Sequence, residues 1–158
     1  MNYQALDTFA KAWAFKRQDL LIEAVDLRMI RPLAEDSANQ IWRDYISGNQ
    51  LHPDHLSQED WLKKEEAYVG KELWEPSWDS DIETLPDAIS QHLVNWSDST
   101  KVYFCYHSDH VIETTYSVFK KHWKNFLFFD NGPILVARKK KQAVQFFSEG
   151  DCYLLQRL

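Results

Sequence analysis

The stretch Lys101-Val-Tyr-Phe-Cys-Tyr-His107 decides the fold class, because it is apolar at nearly every position. A short run of this kind, rich in aromatic residues and without polar alternation, is typical of a central strand covered on both faces. The segment from His110 to Lys124 then has apolar residues three and four positions apart, which predicts an amphipathic helix. The apolar positions are Ile112, Tyr116, Phe119 and Trp123, and Phe126 continues the pattern. The C-terminal third therefore predicts a sheet with one helix packed on it.

Two hairpins are predicted downstream of this helix. Residues 126–138 contain two apolar runs around Asp130-Asn-Gly-Pro133, where glycine supplies a positive φ and proline stays outside a central ladder. Residues 143–147 and 152–155 flank a second turn at residues 148–151. Together with the strand at residues 101–107, they predict a mainly antiparallel sheet of about four strands.

The N-terminal two-thirds of the chain has helical patterns. The first predicted helix has its apolar face at Ala34, Ala38, Ile41, Trp42, Tyr45 and Ile46. Ser57 and Asp60 form a capping-box pattern ahead of a second helix, with Tyr68 and Val69 on its apolar face and Gly70 at its end. A third has its apolar face at Leu85, Ile89, Leu93 and Trp96. We therefore predict one α+β domain over residues 1–158, with a helical N-terminal two-thirds packed on the C-terminal sheet.

The composition excludes several classes of protein. The chain has 158 residues, of which 44% are hydrophobic, enough for one domain with a hydrophobic core. Two cysteines are too few for a disulfide framework. The first residues lack the basic and apolar regions of a signal peptide, and no segment approaches the ~20 apolar residues that span a membrane. We therefore expect a cytoplasmic protein without a membrane partner.

The charge is concentrated in the middle of the chain. Residues 34–100 carry 15 acidic and 4 basic side chains, whereas the whole chain has a net charge of −6. In this region Trp74 and Trp78 are followed by Asp79, Asp81 and Glu83. Tryptophans rimmed by charge are typical of interface hot spots. A first hypothesis is therefore a non-catalytic protein, similar in role to immunity proteins, that binds a basic protein partner. The alternative is that the tryptophans pack on the domain and the carboxylates are simply solvated.

A second hypothesis is a small hydrolase or metal protein. Its candidate residues are His107, Asp109, His110 and Glu113, with Cys105 nearby in sequence and with His52 and His55 as further possible ligands. The Cys-x-His-x-x-His spacing does not match a familiar zinc pattern, and no second cluster completes a tetrahedron. The alternative is a core cysteine, a histidine at a strand end and a capping aspartate.

A third hypothesis is nucleic-acid binding through the basic run Arg138, Lys139, Lys140 and Lys141. The acidic middle region disfavours this hypothesis, because it repels phosphates. With 4 glycines, the chain has neither a dinucleotide-binding nor a Walker motif, and it has no nucleophile elbow. We therefore expect no cofactor.

Several short segments resemble a family of small bacterial proteins of unknown function. They are Ile112-Glu-Thr-Thr115, Val118-Phe119, Trp123-Lys-Asn-Phe-Leu-Phe128, Asp130-Asn-Gly-Pro133 and Phe146-Phe147, with Arg31-Pro-Leu33, Trp42 and Ile46-Ser47 in the N-terminal half. The resemblance covers most of the chain, but these are packing and turn residues, and Tyr116 stands where a tryptophan is expected. The resemblance implies a small bacterial cytosolic α+β domain and transfers no functional residue.

Overall fold

An antiparallel sheet of seven strands is the centre of the computed structural model, which describes residues 1–128 and 131–158. The strands are β1 (Arg31–Pro32), β2 (Tyr68–Leu73), β3 (Lys101–His107), β4 (His110–Thr115), β5 (Ile134–Ala137), β6 (Gln142–Phe146) and β7 (Asp151–Gln156). They are arranged in the order β1-β4-β3-β5-β6-β7-β2. The strands of the C-terminal half thus form the centre of the sheet, and the two N-terminal strands form its edges.

The prediction of about four strands under a helical N-terminal two-thirds is wrong, because the N-terminal region contributes both edge strands. Tyr68 and Val69 lie in β2 and not on a helix, and β2 pairs with β7. Gly70 lies opposite Leu154 beside a register shift, so it marks an irregularity in a strand and not a helix end. An exposed edge strand has no apolar alternation, which explains why the sequence pattern missed β2.

The predicted helix from His110 to Lys124 is a strand followed by a helix. β4 forms a hairpin with β3, and the helix begins only at Tyr116. The β-branched residues that precede Tyr116 favour a strand. The helical spacing was misleading because Ile112 in the strand and Tyr116 in the helix face the same apolar cluster. Thr115 separates the two elements, since its hydroxyl accepts a hydrogen bond from the Val118 amide at 3.3 Å.

The α-helices are short. They are α1 (Ala24–Leu27), α2 (Glu35–Tyr45), α3 (Glu75–Trp78), α4 (Asp87–His92) and α5 (Tyr116–Phe126). α2 and α4 lie where their apolar patterns predict them. None of the helices in the described part of the chain is long and apolar enough to cross a membrane.

Short 3₁₀ helices replace the predicted second helix. The capping pattern is only half formed, because the Ser57 amide donates to the Asp60 carboxylate at 2.9 Å and the chain then turns. The 3₁₀ helices Trp61–Lys63 and Glu65–Ala67 follow it, and three others are Leu6–Thr8, Ala12–Phe15 and Pro53–His55.

Both faces of the sheet are buried by apolar clusters. Val102, Phe104 and Tyr106 face the cluster formed with α4, α5 and the N-terminal segment. Tyr103 and Cys105 face the cluster formed with α2. Because side chains alternate along a strand, only an element covered on both sides buries all five. The prediction that β3 is a central strand covered on both faces is therefore confirmed.

The positive φ predicted for Gly132 is confirmed, and Gly150 in the second predicted turn has a positive φ as well. Gly132 has φ 76° and Gly150 has φ 104°, in the left-handed region that favours glycine. The predicted hairpin of β6 and β7 is confirmed, with Phe146 opposite Cys152. The other predicted hairpin is wrong, because Phe126 ends α5 and β5 pairs with β3 and β6. Phe129 and Asp130, where its turn was expected to begin, lie outside the described residues.

Candidate functional site

The turn between β3 and β4 brings His107, Asp109 and His110 together. The two imidazole rings have centroids 4.1 Å apart, and the Asp109 amide donates to His107 Nδ1 at 3.3 Å. Burial lowers the pKa of His107 below its ordinary value, and repulsion from His110 lowers it further. Burial also lowers the pKa of His110. Both imidazoles are therefore predominantly neutral at pH 7.

His52 and His55 reach the same end of the sheet. The His52 ring stacks on the His107 ring with centroids 5.9 Å apart, and the His55 ring lies 5.6 Å from that of His52. Cys105 is fully buried in the cluster under α2, where burial raises the pKa of its thiol. Within residues 1–128 and 131–158, no three His, Cys, Asp or Glu side chains are arranged to hold a metal ion. The histidines form a row of adjacent rings, in which the rings of His52 and His107 are stacked and the other two pairs are tilted.

Glu113 lies apart from this row. It pairs with Tyr103 in the sheet and faces the α2 side, whereas His110 contacts Phe9 in the cluster on the other face. Its Oε1 accepts a hydrogen bond from the Tyr3 hydroxyl at 2.8 Å and lies 3.7 Å from Lys101 Nζ. Its Oε2 is buried without a hydrogen-bond partner among the described residues. Glu113 therefore connects the N-terminal segment to the sheet and does not share a site with the histidines.

Trp74 and Trp78 are packed into the domain. The Trp74 indole donates to the Phe147 carbonyl at 3.1 Å, and the residue is buried. The Trp78 indole donates to the Lys124 carbonyl at 3.0 Å, and its ring meets that of Phe128 edge to face. Both rings position the acidic segment that follows and present little surface to a partner.

Two exposed carboxylates after Trp78, those of Asp81 and Glu83, line a cavity of about 550 Å³, which we call the acidic groove. Its lining includes Asp19, Leu21, Glu23, Asp81, Glu83 and Lys121. The N-terminal segment provides one wall, residues 80–83 provide another, and α5 lies between them in the lining. Asp79 is exposed but is not part of this lining. Of the predicted partner-binding residues, Asp81 and Glu83 thus lie in a concave site.

Three consecutive residues of α5 fasten the walls of the acidic groove. The Trp123 indole donates to the Glu83 carbonyl at 2.9 Å, and Lys124 Nζ donates to the Ser80 carbonyl at 2.8 Å. On the other side, Asn125 Nδ2 donates to the backbone carbonyls of Ala14 at 2.9 Å and Leu20 at 3.0 Å. The groove is therefore held by specific bonds and is largely pre-formed, as ligand sites usually are.

A kink in α5 places His122 at this groove. The backbone of His122 leaves the helical region, with φ −122° and ψ 23°, and its Nε2 lies 2.8 Å from Asp26 Oδ2. Lys121 Nζ lies 3.1 Å from the same carboxylate oxygen. The bond with His122 is the main cause that lowers the pKa of Asp26, and Lys121 adds to it while burial opposes it. Asp26 is thus held as a carboxylate.

Sequence patterns did not identify the Asp26–His122 pair. The two residues are 96 positions apart, and His122 lies in the polar gap between Phe119 and Trp123. No spacing rule links a histidine in a helix to an aspartate that far away. The only local signal is a histidine beside the apolar stripe, and a buried histidine of this kind is common.

The basic run lies at the turn between β5 and β6. Lys139, Lys140 and Lys141 line a cavity of about 340 Å³ together with Arg157 from the end of the chain. Arg138 is exposed and is not part of this lining. We call this cavity the basic pocket. Sequence patterns identified the lysines but not Arg157, which the β7 strand brings beside them.

Comparison with known proteins places the chain in a family. No curated protein and no solved structure matches it. A family model described as "Protein of unknown function (DUF2947)" matches residues 3–154. That match extends over both edge strands, the acidic segment and α5, so it covers the acidic groove as well as the sheet. The chain therefore belongs to the family of proteins of unknown function called DUF2947.

Proposed function

We propose that this protein is a non-catalytic binding protein that holds a basic segment of a partner protein in the acidic groove. One observation carries the proposal. Asp81 and Glu83 line the groove, and neither has a Lys, Arg or His nitrogen within 4.0 Å among the described residues. Carboxylates that the chain leaves without a cation are available to a cation from another molecule.

Apart from Lys124, whose Nζ donates to the Ser80 carbonyl, the other charged side chains of the groove are paired within the chain. Arg17 binds Asp19 with two hydrogen bonds of 2.8 Å. Lys121 lies 3.7 Å from Glu23 in addition to its contact with Asp26. The wall formed by residues 80–83 is therefore the part of the groove with uncompensated negative charge. A lysine or arginine of a partner would find its counter-ion there.

Exposed apolar side chains supplement the charge. Ile82 lies between Asp81 and Glu83 and is 56% exposed, and Leu21 in the groove lining is 72% exposed. Apolar area beside unpaired charge is suited to a peptide with both apolar and basic residues, because burial supplies affinity and charge supplies orientation. The two free, buried cysteines support a location in a reducing compartment such as the cytosol.

A synthetic basic peptide tests the proposal without knowledge of the natural partner. The probe is a fluorescent octapeptide that alternates lysine and leucine, and binding is measured by fluorescence anisotropy at low salt. The double variant Asp81→Lys/Glu83→Lys should bind about tenfold more weakly, since each exposed contact changes from attraction to repulsion. Binding by the wild-type protein should also weaken as salt is added.

The matched control is Glu65→Lys/Glu149→Lys. It changes the net charge by the same amount at two exposed positions outside the groove. If both double variants lost the same amount of peptide affinity, binding would depend only on the net charge of the protein, and the proposal would be rejected.

A further inference from the structure

The basic pocket concentrates positive charge in a concave site. Four cationic side chains, Lys139, Lys140, Lys141 and Arg157, line it, and Asp44 is its only carboxylate residue. The remaining lining includes Tyr45, Trp61, Val136 and Gln142. The basic pocket and the acidic groove lie on opposite faces of the sheet, because Tyr45 and Trp61 pack on the α2 side and α5 packs on the other side.

The chain does not neutralise these cations. Among the described residues, none of the four has a carboxylate oxygen within 4.0 Å. Two of them are instead oriented by backbone carbonyls, since Arg157 Nη1 donates to Asp44 O and Lys140 Nζ donates to Asn95 O, each at 3.0 Å. Four cations gathered without counter-ions repel each other, and a bound anion would relieve this repulsion.

The backbone conformation of Lys139 is unusual for a lysine. Lys139 has φ 61° and is the one non-glycine residue of the described chain in the left-handed region. Glycine adopts this conformation without cost at a tight turn, whereas a lysine there is disfavoured. Strained positions of this kind cluster at ligand sites, where the side chain serves a purpose other than stability.

An aromatic surface borders the cations. The Trp61 indole donates to the Tyr45 carbonyl at 2.8 Å, which fixes the plane of its ring. The Arg157 guanidinium lies 5.6 Å from the centre of that ring. A fixed indole beside several cations is the combination that binds a base by stacking and its phosphate by charge.

We propose that the basic pocket binds a nucleotide, with its phosphate groups on Lys139, Lys141 and Arg157 and its base against Trp61. The cavity of about 340 Å³ is at the lower end of the size range of small-molecule sites. A mononucleotide therefore fits the site better than a nucleic-acid strand, which needs an extended groove.

Isothermal titration calorimetry of the full chain at low salt tests this proposal, with ADP, adenosine, inorganic phosphate and an oligothymidylate as probes. ADP should bind about tenfold more tightly than phosphate, because only ADP can stack. Adenosine should bind weakly, because it lacks the charge. Absence of ADP binding at millimolar concentration would overturn the proposal. Tighter binding of the oligothymidylate than of ADP would overturn it in favour of a strand.

Lys139→Gly separates a ligand contact from a structural role. The variant should bind both ADP and phosphate about fivefold more weakly, since one cation is lost. Its melting temperature should stay the same or rise, because glycine relieves the backbone strain. The matched control Lys63→Gln removes one exposed charge outside the pocket and should keep wild-type affinity. Wild-type ADP affinity in Lys139→Gly would reject the assignment.

Trp61→Leu tests the stacking surface. ADP affinity should fall to the level of phosphate, while phosphate affinity should stay unchanged. The phosphate titration also reports whether this variant is folded around the pocket. An unchanged ratio of ADP to phosphate affinity would show that Trp61 does not contact the base. This outcome is independent of the acidic groove, because the groove and the basic pocket share no lining residue.

Discussion

The buried amide of Asn125 gives the sharpest test of how the acidic groove is built. Its Nδ2 donates to the carbonyls of Ala14 and Leu20, and the residue is 2% exposed. A buried carbonyl that loses its donor costs about 1–3 kcal/mol. Ala14 is fully buried, whereas Leu20 is partly exposed and water can replace the amide there. For Asn125→Ala we therefore expect the free energy of unfolding to fall by about 3 kcal/mol.

Urea denaturation followed by far-ultraviolet circular dichroism measures this loss. With a slope of about 2 kcal/mol per molar of urea, the midpoint should decrease by about 1.5 M. Asn95→Ala is the matched control, because the Asn95 side chain is exposed. Its free energy of unfolding should change by less than about 0.5 kcal/mol.

Asn125→Asp distinguishes the hydrogen bonds from simple loss of volume. An ionised carboxylate only accepts hydrogen bonds, so it repels the two carbonyl oxygens, and burial raises its pKa. The protonated acid can donate to one of them. The variant should therefore be closest to wild-type stability below the unfolded pKa of about 3.9 and should lose stability, relative to wild type, as the pH rises through its raised pKa. Wild-type stability of Asn125→Asp at pH 7 would refute the reasoning.

Three further predictions concern the rest of the fold. Burial lowers the pKa values of His107 and His110, so their contribution to stability is complete above the unfolded pKa of about 6.5 and is lost as the pH falls below it. When the pH is lowered from 7.5 to 5, the urea midpoint should fall more steeply for wild type than for the double variant His107→Gln/His110→Gln. Equal dependence of the two midpoints on pH would contradict this. Tyr3→Phe removes the bond to Glu113 and should lower the free energy of unfolding by about 1–2 kcal/mol, which an unchanged urea midpoint would disprove. Burial raises the pKa of Cys152 to about 12, so iodoacetamide should label this thiol at pH 8 only after unfolding. Labelling of Cys152 in the native protein, detected by mass spectrometry, would contradict this.

Parts of the fold were predictable because they follow local rules. α2 has one apolar face and is an α-helix as expected, and β3 is apolar throughout and is a central strand. β4 shows where local rules fail. Both of its faces are buried, so its sequence has no alternation, and its apolar positions also fit the helix that follows. A buried strand and a buried helical turn cannot be separated by periodicity alone.

The sites were less predictable than the fold. Sequence patterns identified Asp81 and Glu83 as a surface and Lys139 to Lys141 as a basic run, and both sets line cavities. The grouping of His107, Asp109 and His110 was also anticipated, but Glu113 was wrongly expected on a helix with them. In β4 the alternation of side chains directs it to the other face of the sheet. One wrong element was enough to misplace a candidate residue.

The sequence by itself determined the α+β class, the central strand, the hairpin of β6 and β7 and the acidic middle region, because these depend on residues close together in the chain. Only the tertiary structure decided which distant residues meet. It pairs Asp26 with His122, joins Asn125 to Ala14, and brings Arg157 beside the lysines of the basic pocket. These contacts arise from the order of strands in the sheet and the kink in α5, and neither leaves a periodic trace in the sequence.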